Sequence, residues 1–176
     1  MQQAYEPGDF VVTHGSDFFD KMIRFFTHSR WNHAALIVSK EGDIIELTSG
    51  GIKKNTIQKY QDHDRYIVHI TMSDEDRGHV GAYASYMLNQ HDKYGFLTIA
   101  TIAFKILTKS RLVVKLDGTL ICSEFVARAL GQGGLLWPKD PSFITPADLY
   151  NFFETTDFLN ETSSTRTEKA VVKRLA

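Results

Sequence analysis

The chain is long enough for one domain with a proper core: it has 176 residues, of which 43% are hydrophobic and 12% aromatic. Its 20 basic and 21 acidic side chains give a formal charge of −1, so the composition gives no reason to expect nucleic-acid binding or broad attraction to anionic membranes. The single cysteine, Cys122, excludes an internal disulfide, a zinc site built on several thiolates and an iron–sulfur cluster. Cys122 is therefore either a small buried hydrophobe or a lone reactive thiol.

The first 71 residues predict mainly short strands. Gly8-Asp9 makes a turn into a strand at residues 10–12, and Ser16 can cap a helix that ends near residues 28–29. A strand at residues 33–39, a tight turn at 41–43 and a return strand at 44–47 together predict a hairpin. Residues 66–71 then alternate between apolar and polar side chains, as a further strand does.

The remainder of the chain predicts helices. Ser73 can cap a helix that carries three acids in its first turn, where negative charge suits the helix dipole. Apolar spacing predicts another helix over residues 122–130, and Thr145-Pro146 is typical of a helix start. This order favours an α+β fold with a small antiparallel sheet packed against helices. We expect one domain at residues 1–159 and a polar, flexible tail at residues 160–176.

The sequence shows no targeting segment. Its first ten residues lack the basic and apolar runs of a signal peptide, which favours a cytoplasmic or virion-associated protein. A bacterial or a viral origin fits this expectation, and the sequence does not identify the source. The longest apolar stretch, residues 96–107, contains Lys105 and is shorter than the roughly 20 residues that cross a bilayer. We therefore expect no transmembrane segment, and the longer region at residues 96–117 is a core helix, an element at a membrane surface or a lid.

Cys122 is the first candidate for chemistry. It lies at or near the start of a predicted helix, where free backbone amides and the helix dipole stabilise a thiolate and can hold an oxyanion. A nucleophilic thiol also needs a base and a group that orients the base. Against this role, Glu124 brings a carboxylate close to the thiol, and buried cysteines are common.

His33 and Glu46 are the candidates for base and orienting group. His33 opens a predicted strand, and Glu46 interrupts the apolar return strand of the same hairpin. The tight turn makes the two plausible cross-strand neighbours, although the sequence does not determine the register. Each assignment has an alternative. His33 can be a structural histidine, and Glu46 can face solvent. His69, in the next predicted strand, is the rival candidate for the base.

A set of short motifs in a fixed order resembles the circularly permuted papain-like hydrolases, a group that includes relatives of NlpC-type cell-wall peptidases and the lecithin retinol acyltransferase group. The motifs are Gly8-Asp9, Trp31-Asn32-His33, Ile45-Glu46-Leu47, Tyr94-Gly95-Phe96, Ile121-Cys122-Ser123-Glu124 and Thr145-Pro146. In that family the histidine strand precedes the cysteine helix, the reverse of papain. The resemblance spans roughly residues 8–150, nearly all of the predicted domain.

The resemblance implies a permuted papain-like fold with Cys122 as nucleophile at a helix N-terminus, His33 as base and Glu46 as orienting residue. It implies hydrolysis of an amide bond in a peptide or in peptidoglycan, without a metal or organic cofactor. Tyr94 and Trp31 are candidates for substrate contact, although each can equally be a packed aromatic, Trp31 at the edge of the core. Ester, thioester or lipid acyl-transfer chemistry uses the same groups, and a non-catalytic binding or virion structural module that keeps the fold is a further alternative. The oligomeric state is not predicted.

Overall fold

Five short strands form one antiparallel sheet in the computed structural model, which describes residues 5–14, 30–48, 50–90, 122–160 and 170–171. The strands are β1 (Phe10–Thr13), β2 (His33–Ile37), β3 (Asp43–Thr48), β4 (Gly51–Thr56) and β5 (Arg65–Val68), in the spatial order β4-β3-β2-β1-β5. A separate parallel pair joins β6 (Ile70–Thr71) to β7 (Ala170–Val171), so two residues of the predicted tail pair with a strand from the first half of the chain.

The hairpin of β2 and β3 agrees with the sequence prediction. Gly42 closes the turn with a φ of 88°, a value that favours glycine, and a Cβ there would lie 2.8 Å from a methyl group of Ile57. The hydroxyl of Ser39 accepts a hydrogen bond from the backbone amide of Asp43 at 3.1 Å. The resulting register places Ala35 directly opposite Glu46.

In the described part of the chain, three helices follow the sheet: α1 (Asp74–Asn89), α2 (Cys122–Gln132) and α3 (Pro146–Asn160). Ser73 caps α1 by accepting a hydrogen bond from the amide of Asp76 at 3.2 Å, as the sequence predicted. The predicted start of α3 is also confirmed, because the Thr145 hydroxyl accepts from the Asp148 amide and the Asp148 carboxylate accepts from the Thr145 amide. The α+β class is therefore confirmed, with a five-stranded antiparallel sheet and three helices among the described residues.

Both faces of the sheet are covered. Alternate strand residues such as Ala34 and Leu36 pack in the larger core with the apolar sides of the helices. The intervening residues, such as Ala35 and Ile37, pack in a smaller core with Ile57 and Tyr60 of the 3₁₀ helix Ile57–Tyr60. The site described below lies where the histidine end of β2 meets the start of α2.

Several predictions fall outside the described residues: the helix starting at Ser16, the apolar stretch at residues 96–107 and Tyr94. None of the helices in the described part of the chain combines the length and the apolar character needed to cross a membrane.

Candidate active site

His33 and Glu46 form a buried pair on the face of the sheet away from the helices. Because Ala35 is directly opposite Glu46, His33 is its diagonal neighbour on the same face, two residues earlier on β2. Nε2 of His33 lies 2.8 Å from Oε2 of Glu46. Only 7% of His33 is exposed and Glu46 is fully buried, so the pair is shielded from water.

Cys122 reaches this pair from the first residue of α2, which packs against β2 and β3. Its side chain is 6% exposed and lies close enough to the His33 ring to raise the pKa of that imidazole, through a hydrogen-bonding and a charge interaction. Since Glu46 occupies Nε2, the ring nitrogen available to the thiol is Nδ1. Thiol, imidazole and carboxylate are therefore linked in that order.

Three further side chains hold Glu46, and the sequence interpretation missed all of them. Asn55 Nδ2 and Lys59 Nζ each donate to Oε1 at 2.7 Å, and the Tyr60 hydroxyl donates to Oε2, the oxygen that also receives His33. Asn55 comes from β4, and the other two come from the 3₁₀ helix. The sequence carries no signal for this group, because Asn55 is one of several polar residues of β4, and a polar residue in a strand by itself predicts no contact.

The hydrogen bonds determine the charge of both buried groups. Burial by itself would raise the pKa of Glu46, but hydrogen bonds from His33, Lys59 and Tyr60 outweigh it and lower that pKa to about 2. Burial likewise disfavours the charged form of His33, but hydrogen bonds and charge interactions with Cys122 and Glu46 raise its pKa to about 10. At neutral pH the ionised carboxylate can only accept, so Nε2 of His33 is the donor.

The residues that follow Cys122 anchor the start of α2. The Ser123 hydroxyl is fully buried and donates to the Ile144 carbonyl at 2.6 Å. Glu124, whose carboxylate counted against a thiolate, accepts from Arg128 at 2.8 Å and from Ser142 at 3.1 Å. The Glu124 carboxylate is therefore paired with a cation one turn further along its own helix.

The remaining candidates lie elsewhere. Trp31 is 4% exposed and packs in the larger core against Tyr150, with the Arg30 guanidinium 4.5 Å from its ring centroid. This position corresponds to the alternative in which Trp31 covers the edge of the core, and a contact with substrate stays a prediction. Nδ1 of His69 lies 2.8 Å from Oδ2 of Asp9, at the end of β1 away from His33.

Within the described residues, His, Cys, Asp and Glu side chains form no group of three or more placed to hold a metal ion. No protein-family model matches the chain, and no curated protein gives a significant match. The functional hypothesis therefore depends on the geometry of the site.

Proposed function

We propose that this protein is a cysteine-dependent hydrolase with a permuted papain-like fold, acting on an amide bond of the peptide or peptidoglycan type. The observation that carries the proposal is the buried series in which Cys122 contacts His33 and His33 contacts Glu46. A histidine between a thiol and a carboxylate supplies the base and the orienting group that nucleophilic catalysis requires. The order along the chain, with the histidine and acid strands before the cysteine helix, also supports the permuted arrangement.

In the proposed mechanism His33 holds the proton of Cys122, and the thiolate attacks the carbonyl carbon of the substrate. Backbone amides at the start of α2 donate to the oxyanion that forms. Bond formation removes the thiolate charge, which is one of the causes that keep the pKa of His33 high, so the imidazolium then gives up its proton more readily.

The proton goes to the leaving amine as its bond to carbon breaks, and water attacks the acyl-enzyme with His33 as base. Amines leave poorly without a proton, so an imidazolium in this position suits amide cleavage. Glu46 stays ionised throughout and keeps the ring oriented.

The test measures alkylation of Cys122 by iodoacetamide as a function of pH, followed by mass spectrometry of the intact protein. A catalytic pair predicts fast labelling already near pH 6, and this fast phase is lost in His33→Ala. His69→Ala is the matched control, because it removes a partly buried histidine that bonds the carboxylate of Asp9, at the other end of β1, and leaves the Cys122 contacts unchanged. Slow labelling that does not depend on His33 would support a non-catalytic module instead.

A substrate panel then separates bond types. Muropeptides, peptide amides and acyl esters are incubated with the protein and with Cys122→Ala, and products are followed by mass spectrometry. Amide cleavage that Cys122→Ala abolishes supports the proposal. Cleavage confined to esters would assign acyl-ester chemistry, and activity that survives the substitution would exclude Cys122 as nucleophile.

A further inference from the structure

We infer that Tyr60 is a positioning residue of this site, acting on the Cys122–His33 pair through the carboxylate of Glu46. The inference depends on the proposed function and adds a residue to it. Tyr60 is nearly fully buried at the end of the 3₁₀ helix, and its hydroxyl donates to the same Oε2 that receives Nε2 of His33.

The donors around Glu46 fix the carboxylate in one rotation. Asn55 and Lys59 occupy Oε1, while Tyr60 and His33 occupy Oε2. Without the Tyr60 hydroxyl, Oε2 would be held by the His33 ring alone, which is the group it orients, and the carboxylate and the ring would be free to turn together. The Tyr60 hydroxyl prevents this rotation, and therefore holds the acceptor that orients the His33 ring.

Tyr60 also contacts the imidazole itself. The two ring centroids are 5.9 Å apart with an interplanar angle of 48°, so the phenol ring limits how far the His33 ring can tilt. Lys59 differs in this respect, because its side chain is 44% exposed and bonds the carboxylate from the solvent side. Tyr60 is the donor to Glu46 that is both buried and packed against the histidine.

The test is Tyr60→Phe, which keeps the ring and removes only the hydroxyl. The readout is the ratio of the Cys122 alkylation rate at about pH 6 to the rate at about pH 9, where an ordinary thiol is already largely ionised. We expect this ratio to fall by about 10-fold, the scale of one hydrogen bond to a charged group. A loss of packing alone would not change the pH dependence. Tyr86→Phe is the matched control, since it removes the same group from an exposed tyrosine on α1 and should leave the ratio unchanged.

A double-mutant cycle with Glu46→Gln tests whether Tyr60 acts through the carboxylate. We expect Tyr60→Phe to have little further effect on the ratio in the Glu46→Gln background; a drop as large as in the unsubstituted protein would overturn the inference. If Tyr60→Phe alone does not fold, Glu46→Gln is compared with the double variant: a fall of about 10-fold in the ratio between these two overturns the inference, and an unchanged ratio supports it. A low ratio in the unsubstituted protein would refute the proposed function and this inference with it. A high ratio that Tyr60→Phe leaves unchanged would refute the inference alone.

Discussion

Glu46→Gln removes a buried charge while preserving the shape of the side chain. The pKa of the Glu46 carboxyl is about 2, compared with an ordinary value of 4.5, even though burial alone would raise it. One pKa unit corresponds to about 1.4 kcal/mol, so the ionised form stabilises the folded protein by about 3 kcal/mol. The raised pKa of His33 reflects in part the same His33–Glu46 contact, so its free energy is not added to this figure a second time. Loss of one partner from a buried ion pair typically costs about 3–5 kcal/mol, a consistent figure.

The sign of the pH dependence follows from the direction of the shift. As the pH falls, the unfolded chain takes up the Glu46 proton near pH 4.5, whereas the folded protein does so only near pH 2. The contribution of Glu46 is therefore complete above pH 4.5 and is lost as the pH falls towards 2. We expect Glu46→Gln to lower the free energy of unfolding by about 3 kcal/mol at neutral pH, and the difference to shrink across this acidic window.

Urea unfolding followed by circular dichroism, at a series of pH values from neutral to acidic, measures this difference. Asp43→Asn is the matched control, because Asp43 lies on the same strand and pairs with Lys54 at 2.8 Å in a partly exposed position. A surface pair of this kind contributes little, so the control should change stability only slightly. Two results would show that Glu46 is not a buried, ionised acceptor. One is that Glu46→Gln lowers the free energy of unfolding at neutral pH no more than Asp43→Asn does. The other is that the loss caused by Glu46→Gln stays the same as the pH falls.

Three further outcomes are expected. Ser123→Ala should lower the free energy of unfolding by about 1–3 kcal/mol in urea titrations, because it leaves the buried Ile144 carbonyl without its 2.6 Å donor. Arg128→Met should lower the free energy of unfolding by about 1–3 kcal/mol in the same titrations, because the buried Glu124 carboxylate loses its 2.8 Å donor; Arg128→Lys should restore part of the loss. The pKa of His33 is raised to about 10, so its contribution to stability is complete below pH 6.5 and is lost as the pH rises through 10. The unsubstituted protein should therefore lose more stability than His33→Gln between neutral pH and about pH 10 in the same titrations.

Glu46 shows what the alternation of side chains along a strand predicts and what it leaves open. Alternation along β3 correctly assigned it to the face opposite Ile45, and a solvent-facing position was one interpretation. The tertiary structure instead buries it completely, because the 3₁₀ helix Ile57–Tyr60 covers that face of the sheet. A period of two residues identifies a face, but it does not say what packs against that face.

The sequence by itself determined the features that depend on neighbours a few residues away. The turn at Gly42 and the caps at Ser73 and Thr145 are local in this sense, and so is the division into strands followed by helices. Backbone conformation and capping hydrogen bonds act over three or four residues, which is why composition and spacing suffice for them.

Only the tertiary structure decided what meets at the site. The sequence offered His33 and Glu46 as neighbours in one hairpin but did not determine the register that makes them diagonal partners. The packing that brings Cys122 to the His33 ring joins segments far apart in the chain. The contacts of Lys59 and Tyr60 with Glu46 were not predicted either. Nothing in the sequence around these two residues indicates that the 3₁₀ helix packs over a buried carboxylate on β3. Such contacts depend on how sheet and helices pack together, and the pKa values of the site depend on the contacts.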